Sequence, residues 1–320
     1  MLIETAERVA REFELGEVAA EPVYAARGEL GLIWRVDTDR GSWAVKESLI
    51  EVAEHDAAAD VAFQRAAATA GVVLPAPVVD RGGRVILRAR PYDLRVYEWA
   101  DLAAGEITAA QLGAATASVH RVRHAARGPV SEWFAAPLGA QGWAGIAGIS
   151  RRQEWEDALH TWLDDLVAVD TIVVAPDPAR VTTCHRDLNE ENLRMSAAGV
   201  LTVLDWENCG PAVPAWELAA IVARDPEVYR AYVAAGGPAR VTRPEDFSMR
   251  VAVQGHLLEF YARRATDPAE TDENRARSRA RLGEMLRRPL TLERISAVLE
   301  GLRDHHAHPV GHHAQPDGGA

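Results

Sequence analysis

Three polar side chains lie close together in the chain, and their types and spacing suit one kind of chemistry. In VTTCHRDLNEENLRMSAAGVLTVLDWEN (residues 181–208), Asp187 follows a short apolar strand, Asn192 lies five residues further on, and Asp205 follows a second apolar run, VLTVL. A carboxylate held in a loop, as Asp187 would be, can orient an attacking hydroxyl and accept its proton. The carboxamide oxygen of Asn192 and the carboxylate of Asp205 are hard oxygen donors of the kind that Mg2+ prefers, and magnesium neutralises phosphate oxygens during their transfer. The chemistry these residues suit is therefore phosphoryl transfer. Each is commonplace at a turn when taken alone; the order and spacing of the set carry the inference.

Elements able to position these residues can be read on either side of them. Residues 31–48, GLIWRVDTDRGSWAVKES, alternate apolar and polar around a turn at Asp37 to Gly41, which predicts a β-hairpin with one buried face. Lys46 falls near the end of its second strand and is the only lysine among 35 Lys and Arg residues. An ammonium is a compact point charge where a guanidinium is a planar fork. Residues 51–70 are Ala-rich with apolar positions three and four apart and stop at Gly71, which predicts a helix. LPAPV (74–78) cannot continue it, and DRGGR (80–84) turns the chain between the short strands of RVILRAR and DLRVYEWAD. A further hairpin, turning near Ser196 to Gly199, would bring Asn192 and Asp205 together. From about residue 102 the pattern becomes helical, as in ITAAQLGAATASVHRVRHA and SRRQEWEDALHTWLDDLVAV. Trp155, Leu159, Trp162 and Leu166 recur at helical spacing and read as core. Trp133 and Trp143, in a stretch containing Gly and Pro, are candidates to wall a substrate pocket.

The segments HRDLNEENL, LDWEN and WAVKE, with AGVVLPAPV after the helix and RVYEWADL at the expected junction, resemble the aminoglycoside phosphotransferase and choline-kinase-like family, small-molecule relatives of protein kinases. The resemblance covers roughly residues 20–265. It implies an α+β, bilobal protein-kinase-like fold, with a small β-rich N-lobe over 1–98, a larger mainly α-helical C-lobe over 99–304, and a disordered His-rich tail over 305–320. It also implies ATP and Mg2+ as cofactors, Asp187 as catalytic base, and Asn192 and Asp205 as metal ligands. Lys46, beneath a glycine-containing loop (RGELG, 27–31), would contact the α- and β-phosphates, and the backbone from Glu98 to Ala100 would form the hinge against adenine. The position aligned to the usual lysine-pairing glutamate is Asp60, with Glu51 and Glu54 as other candidates.

Two departures bear on the acceptor. The family commonly has glycine where Arg186 stands, and His-Arg-Asp is the protein-kinase form. Against a protein acceptor, Asn189 replaces the lysine that protein kinases carry two residues after the aspartate, and Trp216-Glu217-Leu218 follows Asp205 too soon for an activation loop. The expected function is thus an ATP-dependent phosphotransferase acting on a hydroxyl of a small molecule such as an aminoglycoside or amino sugar. A protein serine/threonine kinase and a non-catalytic nucleotide-binding protein are the alternatives.

Composition narrows the partners. A formal charge of −12 argues against nucleic acid and admits a cationic acceptor, for which Glu207, Glu217, Asp246 and Glu259 are candidate contacts. No run approaches the roughly 18 apolar residues of a membrane span, and the amphipathic start lacks the features of a secretory signal, so the expected location is the cytoplasm. Cys184 and Cys209 read as buried free thiols. Five of the eleven histidines crowd the last sixteen residues without apolar periodicity.

Overall fold

In a computed structural model of the protein, which describes residues 1–28, 31–89 and 92–307, packing divides the chain into two units. The first comprises residues 1–129, 181–212 and 231–238, and the second residues 130–180, 213–230 and 239–320. The segment holding Asp187, Asn192 and Asp205 packs with the N-terminal part, because its hairpin pairs with a strand at Leu102–Ala103 and its carboxylates meet Lys46.

The first unit opens with helix α1 (Ile3–Glu12) and strands β1 (Val23–Arg27), β2 (Gly31–Thr38) and β3 (Gly41–Ser48). The β2–β3 hairpin forms as expected, in register from Gly31 opposite Ser48 to Thr38 opposite Gly41, which leaves a two-residue turn at Asp39 and Arg40. Helix α2 runs from Glu54 to Thr69, starting three residues later than the expected 51. Strands β4 (Pro77–Val78), β5 (Leu87–Ala89) and β6 (Tyr92–Glu98) complete an antiparallel sheet in which β6 pairs with β3, β4 and β5. Successive residues of a strand point to opposite faces. Val36, Val45, Leu94 and Val96 therefore share one face and bury it against Ala6, Val9 and Ala10 of α1. Full burial of each such aliphatic side chain contributes about 1.5–3 kcal/mol. The intervening positions, Lys46, Arg95 and Tyr97, fall on the other face.

Strand β7 (Leu102–Ala103) and helix α3 (Ala109–Arg121) follow, the helix held at its start by a reciprocal cap between Thr108 and Gln111. The chain re-enters this unit through β8 (Thr182–Cys184), β9 (Leu193–Ser196), β10 (Leu201–Val203) and β11 (Gly210–Ala212). The β9–β10 hairpin joins β7 in a three-stranded sheet, and β8 pairs with β11. Both cysteines are buried, as expected.

The second unit contains α4 (Glu132–Ala135), α5 (Gly139–Ser150), α6 (Glu156–Val169), α7 (Pro214–Val222), the first part of α8 (Glu227–Ala234), α9 (Ser248–Thr266), α10 (Asp272–Arg287) and α11 (Leu292–Ala307). The stripe read as core is core: Trp155, Leu159 and Leu166 are buried in one cluster, with Trp162 packed against it. Trp143 belongs to that cluster too. It is 2 % exposed on α5 and donates its indole N–H to Asp170 at 2.7 Å, so it does not wall a pocket. Trp133 instead stacks on His256, ring centroids 5.2 Å apart. Residues 305–307 end α11 rather than begin a tail; the remainder of the His-rich segment, and Glu29 and Leu30 of the RGELG loop, lie outside the described residues. Among the described residues no helix is long and apolar enough to cross a membrane.

Candidate active site

The loop after β8 is shaped by its residues in turn. His185 is fully buried, places Nε2 2.9 Å from the Leu204 carbonyl and meets Trp206 edge-on at 4.9 Å, which ties this loop to the one that follows β10. Trp206 in turn packs edge-on against Phe63 of α2. Arg186 adopts φ +65°, a left-handed conformation that costs a side-chain-bearing residue energy and costs glycine none. A glycine here would adopt this conformation without that cost. Here the Arg186 guanidinium compensates by donating to the carbonyls of Asn208 and Cys209, and it lies where a Cβ on Gly210 would stand, 2.7 Å from it.

This geometry presents Asp187 to three carboxamides. Asn189 and Asn192 donate side-chain N–H groups to its carboxylate at 3.1 and 3.0 Å, and Asn208 does so at 3.4 Å. The Asn189 side-chain oxygen caps the next turn by accepting from the backbone N–H of Glu191 and Asn192. Burial raises the pKa of Asp187 above the usual carboxylate value; His185 opposes the shift and the charge of Asp205 adds to it.

Asp205 reaches the same place through the β9–β10 hairpin. The Leu204 N–H donates to the Asn192 carbonyl at 2.8 Å, which sets the ends of the hairpin side by side, and Asp205 then turns left-handed at φ 55°. The Asn192 amide nitrogen is engaged by Asp187, and among the described residues its amide oxygen accepts no hydrogen bond. A free amide oxygen beside two carboxylates that repel each other fits a hard divalent cation.

Lys46 lies between Asp205 and Glu207, its Nζ 3.0 Å from one carboxylate and 2.7 Å from the other. Burial alone would lower its pKa, but these two charges outweigh it and hold the ammonium above its ordinary value. Gly31 on the neighbouring strand lets the stem through, since a Cβ there would stand 2.8 Å from Lys46 Cε. The expected pairing of Lys46 with Asp60 does not occur. Asp60 faces Arg95 at 3.3 Å, and Arg95, 1 % exposed, also lies 3.6 Å from Glu207. The reason is register: Arg95 sits directly opposite Lys46 across β3 and β6, so two cations share one face and must divide the carboxylates between them. Asp60, being shorter than glutamate, meets the nearer cation. Burial pushes its pKa up to about 8 despite Arg95, with the charge of Glu207 adding to the rise. Tyr97 donates its hydroxyl to Glu207 at 3.3 Å and is held far above its usual pKa by burial.

Arg95, Tyr97 and the role of Glu207 at Lys46 escaped the reading of the sequence. The alternation of DLRVYE puts Arg95 and Tyr97 on one strand face, yet only the β3–β6 register, invisible in sequence, sets that face beside Lys46. At the expected hinge, the N–H groups of Glu98 and Trp99 donate to the carbonyls of Ala76 and Ser42. The acidic candidates for a cationic acceptor are taken up by the fold. Glu207 serves Lys46, Asp246 accepts from the backbone N–H of Thr242 and Arg243, and Glu259 binds Arg263. Glu217, 1 % exposed on α7, is buried.

Residues 25–248 match the model of the phosphotransferase enzyme family. No curated protein matches the sequence. Among solved structures, a spectinomycin phosphotransferase in complex with ADP and spectinomycin superposes with a TM-score of 0.67 at 13% identity, covering 93% of this chain and 98% of that one. An amicoumacin kinase in complex with AMP-PNP, Ca2+ and Ami gives 0.55 at 14% identity over 89% and 94% of the two chains. A choline/ethanolamine kinase family protein from Mesorhizobium loti gives 0.54 at 18% identity over 93% and 99%. The expected α+β, kinase-like fold is therefore the fold of this chain.

Proposed function

The chain belongs to the phosphotransferase enzyme family, and we propose that it transfers the γ-phosphoryl group of ATP to a hydroxyl of a small molecule in the cytoplasm, an aminoglycoside, amino sugar or similar hydroxylated amine. The observation that carries this reading is the convergence of Asp187, Asn192, Asp205 and Lys46 within one unit, linked by hydrogen bonds and ion pairs. Two of these solved structures hold ADP or AMP-PNP, one of them with Ca2+, which supports a nucleotide and a divalent metal; Mg2+ is the ion this reading assigns.

Asp187 holds the acceptor hydroxyl and takes its proton as the oxygen attacks the γ-phosphorus, with ADP leaving. The three carboxamides around it fix the direction in which its carboxylate points. Lys46, braced by Asp205 and Glu207, supplies a fixed positive charge to the α- and β-phosphates. Asn192, through its amide oxygen, and Asp205 would hold the metal, which would offset charge on the phosphate oxygens. The Ala100 N–H and the Glu98 carbonyl serve adenine at the hinge. Asp60 acts one step back, engaging Arg95 so that Glu207 remains with Lys46.

The test is nucleotide consumption with Mg2+ across aminoglycosides, amino sugars, choline and hydroxy amino acids, with a generic protein beside them. Turnover on one small-molecule class supports the reading. Phosphate appearing on protein side chains alone would refute it.

A further inference from the structure

The second unit contains a cluster of charge of a different kind. A cavity of about 190 Å³ is lined by Ala223, Arg224, Arg250, Arg288, Leu290 and Arg294. Four of the six are arginines, in a chain whose formal charge is −12. Among the described residues none of the four makes an ion pair with a carboxylate. Bringing like charges together in a partly enclosed space is unfavourable unless something of opposite charge joins them.

Two of the arginines also stand where helix dipoles disfavour them. Arg250 lies in the first turn of α9, which has no acidic residue there, and Arg294 in the first turn of α11, next to Glu293. The N-terminal end of a helix carries partial positive charge and favours anions over cations. Burial, with the charges of Arg224 and Arg294 adding to it, depresses the pKa of Arg250 to about 10.

The wall of the cavity is built rather than loose. Arg294 donates to the carbonyls of Arg288 and Pro289. Gln254 grips Leu290 by both backbone groups, accepting from its N–H at 2.7 Å and donating to its carbonyl at 3.0 Å. A water needs roughly 10–15 Å³ of such space, so the cavity has room for a phosphate-sized anion with several waters. Guanidinium groups match phosphate oxygens in geometry as well as charge.

We propose that Arg224, Arg250, Arg288 and Arg294 form a binding site for a small, multiply charged anion of the phosphate class. None of the four belongs to the set around Lys46, so the site does not rest on the function proposed above. Inorganic phosphate and the phosphoryl group of a metabolite share the recognised chemistry.

Inorganic pyrophosphate, with EDTA present to remove divalent metal, is the probe, and NaCl of equal ionic strength is the control. Binding is read by calorimetry and by the melting temperature of the full chain. The nucleotide site is blocked by working in Lys46→Met. Expected is a melting-temperature rise above the salt control that persists in Lys46→Met, with binding weakened roughly tenfold or more when Arg250→Met and Arg294→Gln are added. Should that variant fail to fold, Arg224→Gln with Arg288→Gln, both at exposed positions, replaces it. No rise beyond salt in Lys46→Met, or a rise that the arginine substitutions leave unchanged, would overturn the proposal. An anion series of phosphate, pyrophosphate and a sugar phosphate then distinguishes the sources, the tightest naming the natural class.

Discussion

The charges around Lys46 and those around Arg250 solve opposite problems. In the first unit, two cations, Lys46 and Arg95, lie among Asp60, Asp205 and Glu207, and every cation has a carboxylate within 3.3 Å. In the second unit, the charges nearest Arg250 are themselves arginines. A mixed cluster is neutralised by the fold and is stable without a ligand. A cluster of one sign awaits its counter-charge. The presence of arginine thus says little by itself; what matters is whether the register of neighbouring elements supplies a carboxylate.

The largest effect that sharpens the contrast is on turnover. Asp187→Asn should lower kcat by about 10²–10⁴-fold, the usual contribution of a general base, while nucleotide binding measured by calorimetry stays near wild type, because Lys46, Asn192 and Asp205 are untouched. Near-normal turnover would remove Asp187 from the role assigned to it. On that reading, the raised pKa of Asp187 should also place the acid limb of the kcat profile above the ordinary carboxylate range.

The comparison itself can be broken with two matched substitutions. Arg95→Met leaves the buried carboxyl of Asp60 without its hydrogen-bond partner and should destabilise the protein by about 1–3 kcal/mol. Arg250→Met removes one of several like charges, and in phosphate-free buffer it should leave stability unchanged or raise it. Denaturant midpoints decide between them, and equal losses from both would mean that Arg250 has a counter-charge after all.

A further effect is in the dependence of stability on pH. Asp60 has a folded pKa of about 8 against an unfolded value near 3.9, so between those limits the native state holds a proton that the unfolded state has lost. Stability from this group is complete below pH about 4 and is lost as the pH rises towards 8. Asp60→Asn should abolish that loss, so its melting temperature relative to wild type should climb across this range. A constant difference would show that Asp60 is ionised throughout.

Much of the first unit was legible because its signals are local. The alternation of GLIWRVDT and WAVKES announces a hairpin, and Asp39-Arg40 closes it. The spacing of Asp187, Asn192 and Asp205 holds because a short hairpin joins the last two. The partner of Lys46 was not legible, since it depends on Arg95 standing opposite it from a strand some fifty residues away. Trp143 misled for a similar reason: glycines around it suggest a loop, yet Asp170 and the apolar faces of α6, α9 and α10 hold that stretch as a buried helix.

The contact between Arg186 and Gly210 ties two positions of the site together. Because the guanidinium lies 2.7 Å from where a Cβ at position 210 would stand, a side chain there is accommodated only if the arginine swings aside and gives up its bonds to the carbonyls of Asn208 and Cys209. The bare backbone of Gly210 thus keeps in place the hydrogen bonds that offset the left-handed turn just before Asp187.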